Sequence, residues 1–289
     1  MTQQRSVINV RLPSRGSENP PAAPTAGEQA REHQTSTTPK DSELVAVFLP
    51  SGFHPYPFKE MYLRPIRGRH QARFAQAANL DNVKLVTDTV TSLIEAGVDA
   101  LDLTPNDFQY TMYWLRLNCY GKIPFTVKSV CSDVDHVEKV TDGSMSPESL
   151  VTVDIVDRTK LKEVTFDPAV LDGFDGSLLD GTEWRLGHPR QRDVNELIEW
   201  VERDDFRELE YLSDFASCLE HRERRATLME RIQFLMEAEP DLLLMLGKYH
   251  ALISSYGVEE SITTRCKGCG AEIVTEVPFS ASTFSGSDR

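Results

Sequence analysis

Two cysteines near the end of the sequence have the spacing of a metal-binding knuckle. The run Cys266-Lys-Gly-Cys269 is followed directly by Gly270. Two thiolates three positions apart form one half of a zinc ribbon, because the small glycines let backbone N–H groups fold around the sulfur atoms. A structural zinc ion needs four ligands, so the pattern predicts two further ligands elsewhere in the chain.

Cys131 and His136 are the best candidates for the missing pair. They follow the extended stretch 124–130 and lie close together in the sequence. A Cys₃His site built from these residues and the C-terminal pair would join distant parts of the chain. A lone Cys-x-x-Cys is also compatible with a redox pair, a disulfide or a vestigial knuckle, and the sequence leaves these alternatives open.

The proposed ion would have four protein ligands and no open position, which is typical of structural zinc. The sequence contains no phosphate-binding loop, dinucleotide fingerprint, nucleophile elbow or His-Glu-x-x-His motif. The other histidines lie in unrelated contexts and are interpreted as surface or core residues. We therefore predict a protein that is not an enzyme and that binds one structural Zn²⁺ per chain.

Composition favours a cytoplasmic protein with two subdomains and tails. The chain has 289 residues and a net charge of −14, and such acidity disfavours binding to a nucleic acid backbone. The chain has five cysteines, an odd number that does not form a complete disulfide framework, which indicates a reducing compartment. Cys119 and Cys218 are interpreted as buried apolar residues. Neither a signal peptide nor an apolar stretch long enough for a membrane span is present, so we predict neither export nor membrane insertion.

The negative charge is concentrated in the second half. Residues 193–260 contain 17 acidic and 7 basic residues, whereas residues 44–130 contain 7 acidic and 9 basic residues. This asymmetry indicates acidic helices that face either solvent or a basic partner. A solvated face is the simpler interpretation.

The pattern predicts an α+β fold, mainly helical, with an N-terminal hairpin, a helical bundle and a split zinc-ribbon-like β element. Residues 1–43 are rich in Pro, Ser and Thr and are predicted to be a disordered tail, although 7–12 could add as a strand to a partner's sheet. The other predicted segments are 44–130 (hairpin plus helices), 131–192 (β-rich segment, loop and first ribbon half), 193–258 (acidic helical bundle) and 259–289 (second ribbon half and tail).

Local signals predict several element ends. Thr104 followed by Pro105 predicts the start of an aromatic helix. Asp193 is predicted to cap the first helix of the bundle, and Gly257 to end the last one. Three extended runs rich in β-branched residues are predicted to form strands, with a Cys/His turn after the first: Phe125–Cys131, Leu150–Val156 and Lys162–Phe166.

Several motifs resemble the T-even-type phage baseplate protein family. They are Leu49-Pro-Ser-Gly, Pro55-Tyr-Pro-Phe-Lys-Glu-Met-Tyr-Leu-Arg-Pro65, Leu103-Thr, Asp107-Phe, Met112-Tyr-Trp-Leu-Arg-Leu-Asn118, Pro124-Phe-Thr-Val and the following Cys131. The acidic helical half followed by Cys-x-x-Cys-Gly is similar to the longer members, and the resemblance covers residues 44–284. The family's first ribbon half often carries a second Cys, where this chain offers His136.

This resemblance implies a structural or assembly protein of a contractile-tail baseplate, found in the virion or in the host cytoplasm during assembly. It implies binding to hub and tail proteins, leaves self-association open, and implies neither a nucleic acid nor a membrane partner. We expect the helix Phe108–Asn118 and the hairpin Leu49–Pro65 to contact the hub. The alternative is a zinc-ribbon regulator that contacts nucleic acid or polymerase, but residues 265–289 contain few basic side chains. A metal-dependent or thiol-redox enzyme would need an open coordination position or an activated thiol.

Overall fold

The computed structural model describes residues 44–95, 98–119, 125–156, 162–201, 210–259 and 261–276. The tail predicted at 1–43 and the end of the predicted segment 259–289 lie outside these ranges. Within them the chain forms eight α-helices and ten short strands, which confirms the predicted α+β fold. None of the helices in this part of the chain is both long and apolar enough to cross a membrane.

Helices and short strands alternate along the chain. The helices are α1 (Gly68–Leu80), α2 (Val83–Thr91), α3 (Pro105–Cys119), α4 (Val134–Thr141), α5 (Gln191–Val201), α6 (Glu210–Ser217), α7 (Leu228–Met236) and α8 (Pro240–Ile253). The strands are β1 (Val45–Val47), β2 (Met61–Leu63), β3 (Phe125–Val130), β4 (Val151–Val156), β5 (Glu163–Val164), β6 (Trp184–Leu186), β7 (Leu219–His221), β8 (Gly257–Val258), β9 (Ser261–Arg265) and β10 (Glu272–Glu276). They pair antiparallel as β1–β2, β3–β4, β5–β8, β6–β7 and β9–β10.

The first core packs the β1–β2 hairpin with α1, α2 and α3. The hairpin forms around the Pro/Gly-rich turn as predicted, with Val45 opposite Leu63. Thr104 begins α3 as predicted, because its Oγ1 accepts the backbone N–H of Asp107 at 3.2 Å. The aromatic side chains of α3 belong mostly to this core, and Trp114 is half-buried. The hairpin therefore offers the more exposed part of the predicted contact surface.

The second core packs α5, α6, α7 and α8 with the β6–β7 pair. The predicted helical bundle is interrupted here, since Leu219 lies in a strand rather than on a helical stripe. In β7 it stands opposite Leu186, and Trp184 stands opposite His221. Directly after β6, the backbone at Gly187 passes close to β7: an added Cβ would lie 2.3 Å from the side chain of Glu220.

Two predicted helix ends were wrong. α5 begins at Gln191, so Asp193 lies in its first turn rather than before it, where its carboxylate accepts the backbone N–H of Arg190 at 3.1 Å and forms a buried ion pair with Arg231. α8 ends at Ile253, before the predicted stop at Gly257, which lies in β8 with a φ of 122°. Both differences arise from long-range contacts that the local signals do not contain.

The ribbon is split between two strand pairs, as the predicted fold class requires. β9, the turn containing Cys266 and β10 follow one another in the predicted strand–knuckle–strand order. The β3–β4 pair lies beside them, and the Thr275 hydroxyl of β10 donates to the Ser129 hydroxyl of β3 at 2.6 Å. The two halves therefore form one β element from distant parts of the sequence.

Candidate metal centre

Four side chains from distant parts of the chain meet at one point. The ligand atoms of Cys131, His136, Cys266 and Cys269 all lie within 4.8 Å of one another. The sulfur atoms of Cys131 and Cys269 are 3.7 Å apart. The sulfur of Cys266 lies 3.4 Å from Nδ1 of His136. The structure thus brings together all four residues that the sequence analysis singled out, and the cluster can hold a metal ion.

A short helix positions the first pair. β3 ends directly before Cys131, whose backbone N–H donates to the carbonyl of Leu150 at 2.7 Å. Asp133 then caps α4, because its Oδ1 accepts the backbone N–H of His136 at 3.0 Å. The three strands predicted within 125–166 are confirmed as β3, β4 and β5, but the turn predicted after the first of them contains a short helix, α4. The cap places His136 in the first turn of α4, facing back towards Cys131.

The knuckle needs its two glycines for different reasons. Gly270 has a φ of 78°, which favours glycine, and its N–H donates to the carbonyl of Cys266 at 2.9 Å. Gly268 leaves space for the imidazole, because an added Cβ would lie only 2.5 Å from Cε1 of His136. The glycine between the two cysteines therefore permits the approach of the first half of the ribbon.

A serine fixes the imidazole. Nε2 of His136 lies 2.8 Å from the hydroxyl oxygen of Ser149. The hydroxyl of Ser149 donates to the carbonyl of Ser146 at 2.6 Å, so its oxygen accepts a hydrogen bond from the Nε2–H group of His136. This arrangement leaves the lone pair of Nδ1 for the cluster, as in metal sites whose histidines donate their second nitrogen. Nothing in the sequence pointed to Ser149, whose hydroxyl is not one of the four ligand groups.

No protein-family model, curated protein or solved structure matches this chain. What the cluster can bind is therefore indicated by its own donor atoms. Thiolate sulfur and imidazole nitrogen favour zinc and other transition metals over magnesium or calcium, which prefer oxygen ligands.

The thiols of Cys131 and Cys266 have opposite pKa shifts. The backbone N–H of Asp133 stabilises the Cys131 thiolate, but burial and the neighbouring sulfurs outweigh it and raise the pKa of Cys131 to about 11. Burial opposes ionisation of Cys266 too, but the N–H groups of Cys269 and Gly268 outweigh it and lower the pKa of Cys266. Backbone N–H groups thus stabilise both thiolates, but they outweigh burial only at Cys266, and a bound cation would stabilise the Cys131 thiolate as well.

Only a small apolar core surrounds the cluster. Cys131, Cys266 and Ile273 are buried together, with Leu150 and Ala271 packed against them. The cysteines of the cluster are free thiols rather than a disulfide in the described structure. So small an apolar group contributes little burial energy to the two ribbon halves, and a metal ion would add to it.

Proposed function

We propose that the cluster holds one structural Zn²⁺ and that the chain is a structural or assembly protein of a phage contractile-tail baseplate. The observation that supports zinc is the spacing of the donor atoms. Zn–S bonds of about 2.3 Å and a Zn–N bond of about 2.1 Å at tetrahedral angles put sulfurs about 3.8 Å apart and sulfur and nitrogen about 3.6 Å apart. Two of the six donor–donor distances, 3.7 Å between Cys131 and Cys269 and 3.4 Å between Cys266 and His136, fit this geometry, and all six lie within 4.8 Å.

Four protein ligands would fill the coordination of the ion, so its role would be structural. The ion would tie β3 and α4 to the turn between β9 and β10. Because the local core is small, much of the free energy that holds the two halves together would come from metal binding. The proposed ion would therefore stabilise a thin β element and take no part in catalysis.

The baseplate part of the proposal is supported by the resemblance around Leu49–Pro65 and by the surface beside that hairpin. Phe48 is 81 % exposed, and Arg64, Arg67 and Arg69 are exposed next to the hairpin in the sequence. We call these four residues the hairpin surface. An exposed aromatic ring is typical of interfaces, and exposed arginines, of which Arg64 also pairs with Glu95, would suit an acidic partner.

Elemental analysis of the purified protein tests the metal. We expect one zinc ion per chain in the wild type, and its loss in Cys131→Ser, His136→Ala and Cys266→Ser. Cys218→Ser is the matched control, because Cys218 is a buried free thiol in the second core. Zinc retained by the three cluster variants would contradict the proposed ligand set.

Co-purification with baseplate hub proteins tests the partner. Reversing the charges of Arg64, Arg67 and Arg69 to Glu should weaken the interaction, because it would replace attraction to an acidic partner by repulsion. Lys84→Glu is the control, since Lys84 is also exposed but lies on α2. Unchanged recovery of hub proteins with the triple variant would count against the hairpin surface as the contact.

A further inference from the structure

A second candidate site is a cleft of about 760 Å³ that does not include the metal cluster. Its walls include the 56–58 turn and residues of the β6–β7 pair. Six arginines and four carboxylates line it, which leaves a surplus of positive charge in a chain whose net charge is −14. The six arginines are Arg185, Arg190, Arg192, Arg224, Arg225 and Arg231.

The carboxylates of the cleft hold four of these arginines in place. The pairs are Arg231 with Asp193, Arg185 and Arg190 with Glu220, and Arg192 with Asp102. The fourth carboxylate, Asp99, accepts the backbone N–H of Leu101 at 2.9 Å and caps a short 3-10 helix. These contacts connect the walls of the cleft, and all four of its carboxylates already have partners within the protein.

The loop after β7 supplies Arg224 and Arg225, the two arginines of the cleft that, among the described residues, pair with none of its carboxylates. Arg224 pairs with Glu230, which does not line the cleft, at 2.8 Å, and its side chain remains 53 % exposed. Arg225 is exposed, and within the described residues its guanidinium meets no carboxylate. Arginine forks bind phosphate oxygens in bidentate fashion, and both of these sequence neighbours line the cleft.

Another part of the cleft wall is aromatic. The rings of Tyr56 and Phe58 stack with centroids 4.7 Å apart and planes 7° apart, and Phe58 is half-buried. His188 also lines the cleft and is only 5 % exposed, and its Nδ1 has no hydrogen-bond partner among the described residues. Unpartnered buried nitrogens are rare, and each calls for an explanation such as a bound ligand.

We propose that this cleft binds a small, planar, phosphate-bearing molecule of the mononucleotide class. Arg224 and Arg225 hold its phosphates, and Phe58 packs against its ring. The cleft volume lies within the range of small-molecule sites, roughly 300 to 1,000 Å³. A long nucleic acid is disfavoured, because the net negative charge of the chain repels a polyanion while a small anion meets only the local arginines.

Calorimetric titration of the full chain with ADP, pyrophosphate and adenosine, in magnesium-free buffer, tests the proposal. We expect ADP to bind more tightly than pyrophosphate, and adenosine to bind weakly. Arg224→Gln and Arg225→Gln should each weaken ADP binding about tenfold or more, since each removes a charge-assisted contact. Phe58→Ala should weaken ADP binding and leave pyrophosphate binding unchanged.

Arg222→Gln is the matched control. Arg222 lies in the same loop and carries the same charge, but it donates to the Thr182 carbonyl at 3.2 Å and does not line the cleft. Thermal melts of all variants establish that they are folded. The proposal is overturned if ADP and pyrophosphate both fail to bind, or if Arg222→Gln weakens binding as much as Arg225→Gln. Equal affinities for ADP and pyrophosphate would overturn the assignment of the ring to Phe58.

Discussion

The imidazole of His136 and the hydroxyl of Ser149 form a 2.8 Å hydrogen bond immediately behind the four-residue cluster. The Ser149 hydroxyl donates its hydrogen bond to the carbonyl of Ser146, so its oxygen accepts a hydrogen bond from Nε2–H of His136. This contact holds Nδ1 towards the sulfur atoms. A residue without a ligand atom therefore determines which nitrogen of His136 can bind a metal ion.

Ser149→Ala should weaken zinc binding about 10- to 100-fold, the usual effect of losing the partner behind a ligating histidine. The ring would lose both its orientation and the acceptor that raises the basicity of Nδ1. Competition with a chromogenic chelator measures the affinity. Ser132→Ala is the control, because Ser132 is exposed beside Cys131. Equal affinities of Ser149→Ala and wild type would refute the role of this hydrogen bond.

Substituting the two glycines of the knuckle should have different effects. Gly268→Ala should abolish or strongly weaken zinc binding, because its Cβ would collide with the ring of His136 at 2.5 Å. Gly270→Ala should retain zinc and lose only about 1 kcal/mol of stability, since its Cβ would meet no atom within 4 Å and only the positive φ is strained. Zinc content and urea unfolding of both variants separate the two effects. Identical behaviour would contradict this distinction.

Removal of the metal should open the ribbon before the two main cores. A chelator is expected to speed amide hydrogen exchange in β3, α4, β9 and β10, because only a small apolar group holds these elements together without the ion. Exchange in α3 should change less, since its side chains belong to the first core. Returning zinc should restore protection, and Cys266→Ser should show fast exchange with or without chelator. A uniform loss of protection would contradict a local role.

The four-residue cluster could be anticipated because its signals are local and its chemistry is restrictive. A Cys-x-x-Cys-Gly turn leaves few functions for its thiols, and a structural zinc requires a fixed number of ligands. The supporting Ser149 could not be anticipated, since serine is common and only the folded chain brings it to His136. The same holds for Gly268, whose close neighbour is 132 positions away in the sequence.

The elements that the sequence did not predict also depend on contacts between distant residues. β7 has three residues, too few for a period-2 pattern, and it exists because β6 pairs with it. Asp193 has the side chain of a helix cap, but a buried arginine competes for it. α4 has eight residues, too few for a clear helical period, so the sequence predicted only a turn there. Tertiary contacts decided each of these cases.

His188 should make the protein less stable in mild acid. Burial, and secondarily the nearby His54 and Arg190, lower the pKa of His188 to about 4 from its ordinary 6.5. The unfolded chain takes up a proton below pH 6.5 that the folded chain refuses until about pH 4, so the free energy of unfolding falls as the pH decreases through this window. The loss should reach at most about 3 kcal/mol.

Urea unfolding at pH 7.5 and pH 4.5 measures this effect in wild type and in His188→Leu. Low pH would release zinc from both proteins, because protons compete with metal ions for ligands in general, so the difference between them isolates His188. His250→Leu is the control, since His250 is only half-buried on α8. An equal pH dependence of His188→Leu and wild type would show that His188 does not titrate in this way.

The buried ion pair of Asp193 and Arg231 should behave as a unit. Their side chains are 4 % and 7 % exposed, and Arg231 also donates to the carbonyls of Ala216 and Leu219 at 3.3 Å. Arg231→Met or Asp193→Leu alone should each cost about 3 to 5 kcal/mol, because the remaining charge stays buried without its partner. The double variant should cost clearly less than the sum of the two, since no uncompensated charge remains. Urea unfolding of the wild type, the two single variants and the double variant at pH 7.5 completes the double-mutant cycle. Additive losses of unfolding free energy would mean that the two charges do not compensate each other.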